Sequence, residues 1–151
     1  MIENFSHITI NCRDIDRSLA FYESIGLQVL KRIGELNSKA NAQAFRLPAG
    51  RLKVVHIGPK EPSENMRIDL VEWLDPQPTG EAYPTLNNIG LARLCFRVSN
   101  IHETVNHLKE KGFTFFSEPQ LLGQGVTTVC FNDPDGTTLQ LIEGLREFIN
   151  S

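Results

Sequence analysis

The sequence has no excess of basic residues and no long apolar run, and each absence excludes a class of partner. The 15 lysines and arginines stand against 18 aspartates and glutamates, which leaves a formal net charge of −3. A nucleic-acid-binding surface depends on clustered cations, so we expect no nucleic-acid partner. No apolar stretch is long enough to span a bilayer, and Met1–Asn4 does not begin a signal peptide. We therefore expect a soluble, cytoplasmic protein without a membrane partner.

Cysteine is scarce, which excludes a fold held together by disulfides. Cys12, Cys95 and Cys130 all fall in strand-like runs. An odd number without paired spacing argues against both a disulfide framework and a zinc knuckle, so three buried free thiols are expected. Cys95 follows Arg93 on the same face of its strand, and it would be a reactive thiolate if that charge lowered its pKa.

The chain contains two copies of one structural pattern. The segments 6–12 and 92–98 are alternating strands, and His7 and Arg93 match at an offset of 93 − 7 = 86 residues. At the same offset, Asp14 and Asn100 are suitable helix N-caps, and Gly26 and Gly112 suit the left-handed position after a helix. The sequence therefore predicts two modules of the same design.

Each module reads as a strand, a helix and three further strands, which predicts an α+β fold in one domain, 1–151. Module one covers 5–73, a proline-rich linker covers 74–89, and module two covers 90–144. Besides the two strands that open the modules, strands are predicted at 27–33, 43–47, 52–57, 66–73, 113–116, 126–131 and 137–142. The polar segment 34–42 reads as a loop of open role. One helix per module covers only one sheet face, so the other face is free to form a cup.

Four polar positions are expected to face this cup. Asp69 lies between Ile68 and Leu70, and Gln140 lies between Leu139 and Leu141, so both oppose the helix-covered face. If the modules pair about a pseudo-twofold axis, these two side chains converge with those of His7 and Arg93. The alternation also places Asn11, Cys95 and Arg97 on this face, while His56 reads as a surface residue. Trp73 either lines the pocket or fills a gap in the core, and we favour the core.

The motifs resemble those of the vicinal oxygen chelate superfamily, which includes glyoxalase I, bleomycin-resistance proteins and extradiol dioxygenases. The resemblance runs from Ser6 to Glu143, and its most specific segments are 6–8, 14–22 followed by Gly26-Leu27, and 131–136. It implies a glyoxalase-like fold of two βαβββ modules with a cupped mixed sheet, and a homodimer. In metal-dependent members four side chains hold a divalent metal, and the matching positions here are His7, Asp69, Arg93 and Gln140.

Two of these four positions depart from the ligand pattern. Arg93 replaces a histidine, and a guanidinium has no lone pair to give to a metal. Gln140 replaces a carboxylate with a neutral oxygen. The remaining donors leave room only for weak binding of a divalent metal, so we expect no tightly bound metal or other cofactor.

Arg93 then has two open interpretations: an ion pair with Asp69, or a clamp for an anionic group of a ligand. His7 is either a half-buried strand histidine bonded to a neighbour or a pocket residue. As candidate catalytic residues we predict His7, Asp69 and Arg93, with His7 or Asp69 as the base and Arg93 stabilising an oxyanion. The predicted ligand-binding residues are Arg93, Gln140, Asn11, Arg97 and Cys95.

Two function classes follow from the resemblance. The first is a glyoxalase-like lyase or isomerase that acts on a small oxygenated or anionic metabolite, which the acid-base groups favour. The alternative is a protein that sequesters a small molecule without catalysis, as bleomycin-resistance members do. A dioxygenase ranks below both, because its iron site needs two histidines and a carboxylate.

Overall fold

The first part of the chain builds a four-stranded mixed sheet with a helix on one face. A computed structural model describes residues 1–61 and 67–144, and the chain divides into two compact units between Gly80 and Glu81. The elements of the first unit are β1 (Ile8–Asn11), α1 (Ile15–Ser24), β2 (Leu27–Asn37), α2 (Lys39–Phe45), β3 (Arg51–Pro59) and β4 (Ile68–Asp75). The strand order is β1-β4-β3-β2, with β1 parallel to β4 and the other pairs antiparallel.

The second unit repeats this arrangement with shorter strands. Its elements are β5 (Leu94–Arg97), α3 (Ile101–Glu110), β6 (Gln120–Leu121), a 3₁₀ turn (Gly123–Gly125), β7 (Thr127–Asn132) and β8 (Thr138–Glu143). The strand order is β5-β8-β7-β6, and β5 is again parallel to β8. The predicted α+β fold of two βαβββ modules is confirmed. The boundary after Gly80 falls inside the predicted linker 74–89.

The helix signals predicted from the sequence are confirmed. Asp14 Oδ1 accepts from the backbone N–H groups of Asp16 and Arg17 at 3.0 and 2.9 Å, and Asn100 Oδ1 accepts from that of Glu103 at 3.1 Å. Gly26 and Gly112 have φ values of +104° and +90°, which only glycine adopts without strain. None of the helices in the described segments has the length and hydrophobicity needed to cross a membrane.

A glutamate on the last strand of each unit supports the start of its helix. Glu72 Oε2 accepts from the Ile15 N–H at 3.1 Å, and Glu143 Oε2 accepts from the Ile101 N–H at 2.7 Å. These N–H groups have no partner within the helix, and the negative charge also suits the positive end of the helix dipole. The two carboxylates therefore fix the angle at which each helix leaves the sheet.

Two predicted strands are wrong. The segment predicted as loop 34–42 and strand 43–47 instead contains the end of β2, at Asn37, and helix α2. The helix forms because Ser38 Oγ caps it, accepting from the Asn41 N–H at 3.0 Å, and because alanines follow. The segment 113–116 makes only an isolated bridge, Phe115 to Phe131. The rings of Phe113 and Phe115 still pack on Phe131, with centroids 6.1 and 5.2 Å away, so the aromatic pattern reflects side-chain packing without a strand ladder.

The sheet of the first unit has one face under α1 and one face open to a cavity. Helix α1 buries Ile15, Leu19 and Tyr22 on the covered side. On the other side, β3 and β4 present matched pairs: Leu52 with Trp73, Val54 with Val71, and His56 with Asp69. The expectation that one sheet face stays uncovered by the helix is met in this unit, and that face contains the candidate site.

Candidate small-molecule site

A cavity of about 620 Å³ lies on the open face of the first unit. Its walls are mainly apolar, and they come from all four strands and from α2. The polar lining residues include His7, His56 and Asp69, together with Thr9, Asn11 and Asn41. A volume of this size is typical of pockets that bind small organic molecules.

Asp69 is the centre of the polar group. Only 8% of this residue is exposed, and its carboxylate accepts two hydrogen bonds from Arg67, from Nε to Oδ1 at 2.7 Å and from Nη2 to Oδ2 at 3.3 Å. Arg67 lies two residues before Asp69, so their side chains share one sheet face. The carboxylate charge is thus compensated by a neighbour on the same strand, in a charge-assisted pair.

Two histidines flank the same carboxylate. His7 Nε2 lies 3.5 Å from Asp69 Oδ2, and His56 Nε2 lies 3.5 Å from Oδ1. His56 reaches this place because it is directly opposite Asp69 in the antiparallel register of β3 and β4. His7 comes from the residue before β1, which runs parallel to β4. The interpretation of His56 as a surface residue is therefore wrong.

The hydrogen bond from Arg67 fixes the tautomer of His7, and burial decides the charge of His56. Arg67 Nη2 donates to His7 Nδ1 at 3.1 Å, and since a guanidinium can only donate, neutral His7 has its proton on Nε2, facing Asp69. Burial lowers the pKa of His56, and the attraction of Asp69 opposes this shift without cancelling it. His56 is therefore a neutral imidazole at pH 7, and it keeps one lone pair that can accept a proton.

Part of the apolar cavity wall is aromatic. The ring centroids of Phe45 and Trp73 are 5.9 Å apart at an interplanar angle of 87°, an edge-to-face pair. Trp73 Nε1 donates to Asn11 Oδ1 at 3.1 Å, which fixes the indole and places Asn11 at the cavity as expected. Both interpretations of Trp73 hold: it packs against buried Leu52, Val54 and Val71, and like them it lines the cavity.

Two of the site residues predicted from module two, Arg93 and Gln140, belong to one series of hydrogen bonds within the second unit. Arg93 Nε donates to Gln140 Oε1 at 2.7 Å, Gln140 Nε2 donates to Thr128 Oγ1 at 2.6 Å, and Thr128 donates to the Leu141 carbonyl at 2.8 Å. This series holds Arg93 by one nitrogen. The convergence of Arg93 and Gln140 with His7 and Asp69 stays a prediction, as does the ion pair of Arg93 with Asp69.

Cys95 is the clearest correction in this unit. Cys95 and Cys130 pair with Gln140 from either side in the sheet register. Burial raises the pKa of both thiols, and the opposing effect of Arg93 is smaller. Although Cys95 is exposed, it is not an activated thiolate. Arg97 is exposed at the end of β5, and its ligand-binding role stays a prediction.

The donor set does not fit the divalent metal that the resemblance implies. Asp69 already accepts two bonds from Arg67, and the Arg93 guanidinium cannot ligate a metal. Among residues 1–61 and 67–144, no group of three or more histidine, cysteine, aspartate or glutamate side chains is placed to share an ion. The expectation that no metal is tightly bound stays a prediction.

Comparisons with known proteins identify the fold and the family. The sequence model of the Glyoxalase/Bleomycin resistance protein/Dioxygenase superfamily matches residues 4–141. The chain is 28% identical over 140 residues to a "Probable lactoylglutathione lyase" from Synechocystis, an alignment that covers 91% of this chain and 92% of that protein.

Solved structures match over almost the whole chain. A glyoxalase family protein from Bacillus cereus has a TM-score of 0.83 at 19% identity, with 95% of each chain covered. TnmS3, an antibiotic binding protein from Streptomyces, has a TM-score of 0.64 at 19% identity, covering 95% of this chain and 97% of that one. At these identities the structural likeness shows the fold alone.

Proposed function

The chain belongs to the Glyoxalase/Bleomycin resistance protein/Dioxygenase superfamily, and we propose that within it the protein is an enzyme of the lyase or isomerase type. It acts on a small oxygenated or anionic metabolite by moving a proton next to a carbonyl and stabilising the resulting oxyanion, without a tightly bound metal. The observation that supports this most is the pair of imidazoles and the guanidinium around one buried carboxylate in a cavity. The lyase name of the Synechocystis relative also favours this class.

His56 is the proposed general base. It is neutral at pH 7, and a proton on Nε2, directed at Asp69 3.5 Å away, leaves the lone pair on Nδ1 for the substrate. Asp69 orients His56, and we assign the proton to His56 because the negative charge of Asp69 is already compensated by Arg67. This revises the prediction that His7 or Asp69 is the base.

Oxyanion stabilisation falls to the donors beside the base. The Nδ1 lone pair of His7 is occupied by Arg67, and its Nε2–H makes only a long contact of 3.5 Å with Asp69, so this N–H donates to the developing oxyanion when substrate is bound. Donors held in place before the reaction stabilise developing charge without a reorganisation cost. Arg93 is not among the lining residues of this cavity, and its role as a clamp for an anionic group stays a prediction.

The test measures metal content and proton exchange on the same preparation. Protein purified without chelator is assayed for metal, and hydroxy and oxo compounds are incubated with it in D₂O while ¹H NMR follows deuterium incorporation. We expect exchange that survives chelation and falls about 100-fold or more in His56→Gln, the usual range for a lost general base. His102→Gln, at an exposed position on α3, is the control and retains exchange. Stoichiometric metal with loss of exchange on chelation would overturn the proposal.

A second candidate function is sequestration of a small molecule, which the mainly apolar cavity walls and the fold shared with the antibiotic binding protein TnmS3 favour. The two functions give different results in one experiment. A compound that binds tightly but exchanges no proton, in wild type and His56→Gln alike, identifies a binding protein. Exchange lost in His56→Gln identifies an enzyme.

A further inference from the structure

The shape and charge of the cavity narrow the ligand class beyond the proposed function, on which this inference rests. We infer that the ligand is a planar aromatic molecule with one oxygen-bearing head group and few other charges. The aromatic body packs against Phe45 and Trp73, and the head group meets His7 and His56. Three observations, on the aromatic wall, the charge of the lining and the position of α2, support this assignment.

The first observation is the exposed aromatic wall. Phe45 is 57% exposed although its ring contacts that of Trp73. Helix α2, which carries Phe45, has no buried residue, so its own packing does not require a phenyl ring there. An aromatic side chain left open beside another in a cavity gains most from covering by a flat apolar surface, through both burial and edge-to-face or stacked geometry.

The second observation is the charge of the lining. The residues that line the cavity include one carboxylate, Asp69, and neither lysine nor arginine. Asp69 is compensated by Arg67, so the wall offers no cation to spare for several acidic groups. The neutral lining residues Thr9, Asn11 and Asn41 can donate to a single carboxylate, whereas a glutathione conjugate has two carboxylates and an ammonium group, and its additional charges would lose hydration here without a partner. The cavity thus differs from what the name of the Synechocystis relative implies for that protein.

The third observation is that α2 is held in place against the sheet. Ser38 N–H donates to the Gly50 carbonyl at 3.2 Å, and a Cβ atom at Gly50 would lie 2.4 Å from the Ser38 carbonyl oxygen. The close approach of backbone at Gly50 seats α2 beside β3. Phe45 is therefore held at the cavity in the absence of ligand, which lowers the entropy cost of binding.

The experiment measures dissociation constants by isothermal titration calorimetry, using three probes that are not turned over. They are 2-naphthylacetate, its saturated decahydro analogue, and S-methylglutathione. We expect 2-naphthylacetate to bind at least 10-fold more tightly than S-methylglutathione and about 2- to 10-fold more tightly than the decahydro analogue. Phe45→Leu weakens 2-naphthylacetate by a similar 2- to 10-fold and leaves the decahydro analogue unchanged, while Phe45→Tyr restores affinity.

Phe116→Leu is the matched control, because Phe116 is 54% exposed in the second unit and is not among the lining residues of this cavity. This variant should bind 2-naphthylacetate as tightly as wild type does. The inference is overturned if 2-naphthylacetate does not bind at millimolar concentration, if S-methylglutathione binds as tightly, or if Phe45→Leu has no effect. These measurements involve no turnover, so they are independent of proton exchange. If the protein selects 2-naphthylacetate but exchanges no proton, only the proposed enzymatic function is wrong. If it exchanges a proton but shows no such selectivity, only the inferred ligand class is wrong.

Discussion

Replacing Gly50 by alanine should destabilise the protein, because the added methyl group has no room. An ideal Cβ at this position would lie 2.4 Å from the Ser38 carbonyl oxygen, 2.7 Å from the Ala42 nitrogen and 2.9 Å from Asn41 Cβ. Ordinary contacts between heavy atoms are about 3.5–4.0 Å, and two of these three atoms are backbone that cannot rotate away. The start of α2 must therefore move away from β3 in Gly50→Ala.

The size of the effect follows from two opposing terms. Overpacking of this kind costs about 1–3 kcal/mol. Because φ of Gly50 is not in the left-handed region, alanine also restricts the unfolded chain, which stabilises by about 0.4–1 kcal/mol. The free energy of unfolding should thus fall by about 1–2 kcal/mol, which lowers Tm by about 2–8 °C for a chain of this length.

Urea denaturation of wild type, Gly50→Ala and Gly123→Ala measures this difference. Gly123 is the matched control, because a Cβ there meets no atom within 4 Å and its φ is also outside the left-handed region. Gly123→Ala should be neutral or more stable by about 0.4–1 kcal/mol. Since α2 carries Phe45, Gly50→Ala should also weaken 2-naphthylacetate binding. Equal stability of the two variants, with binding unchanged, would refute the close packing of α2 on Gly50.

Three further predictions concern individual side chains. Asp69→Asn should lower the free energy of unfolding in urea by about 1–2 kcal/mol, because both hydrogen bonds from Arg67 lose their charged acceptor; an unchanged midpoint would contradict the pair. Glu143→Ala should cost about 0.5–2 kcal/mol by leaving the Ile101 N–H without its acceptor, and the loss should appear as a lower Tm. Cys95 should react with iodoacetamide more slowly than N-acetylcysteine at pH 7.5, because burial raises its pKa and keeps the thiol protonated. The rate should rise only at pH values above the ordinary pKa of a thiol. A rate equal to or above that of N-acetylcysteine at pH 7.5 would contradict this.

The sequence predicted the elements whose signals are local. Asp14 and Asn100 are caps with a side-chain acceptor in reach of the next N–H groups, and Gly26 and Gly112 end helices because their φ is positive. Helix α2 was missed for a local reason too: Phe45 and Leu47 alternate as in a strand, while the Ser38 cap and the alanines favour a helix. At this length the two patterns cannot be separated by periodicity.

The sequence predicted the site residues whose position follows from alternation within a single strand. Alternation within β4 placed Asp69 opposite the helix-covered face, and the same rule applied two residues earlier would have found Arg67. The same rule places Trp73, four residues after Asp69, on the cavity face, whereas His56 required the pairing of β3 with β4, since it reaches the cavity as the neighbour of Asp69. Register between strands depends on the turn that joins them, and no turn motif in the segment between Pro59 and Arg67 specifies it.

The internal repeat explains why the site could not be transferred from one module to the other. Glu72 and Glu143 have the same role, because the first N–H group of each helix has no acceptor within the helix and takes the glutamate as its acceptor. The open sheet faces have no such shared requirement. In the first unit the charge of Asp69 is compensated by Arg67, two residues away. In the second unit Gln140 is neutral, and its Nε2 donates a hydrogen bond to Thr128 Oγ1. A buried carboxylate needs a positive partner and a buried amide needs a donor and an acceptor, so the residue at this one position dictates different neighbours. The residue at this position on the last strand, Asp69 or Gln140, therefore decides which polar side chains surround it in each unit.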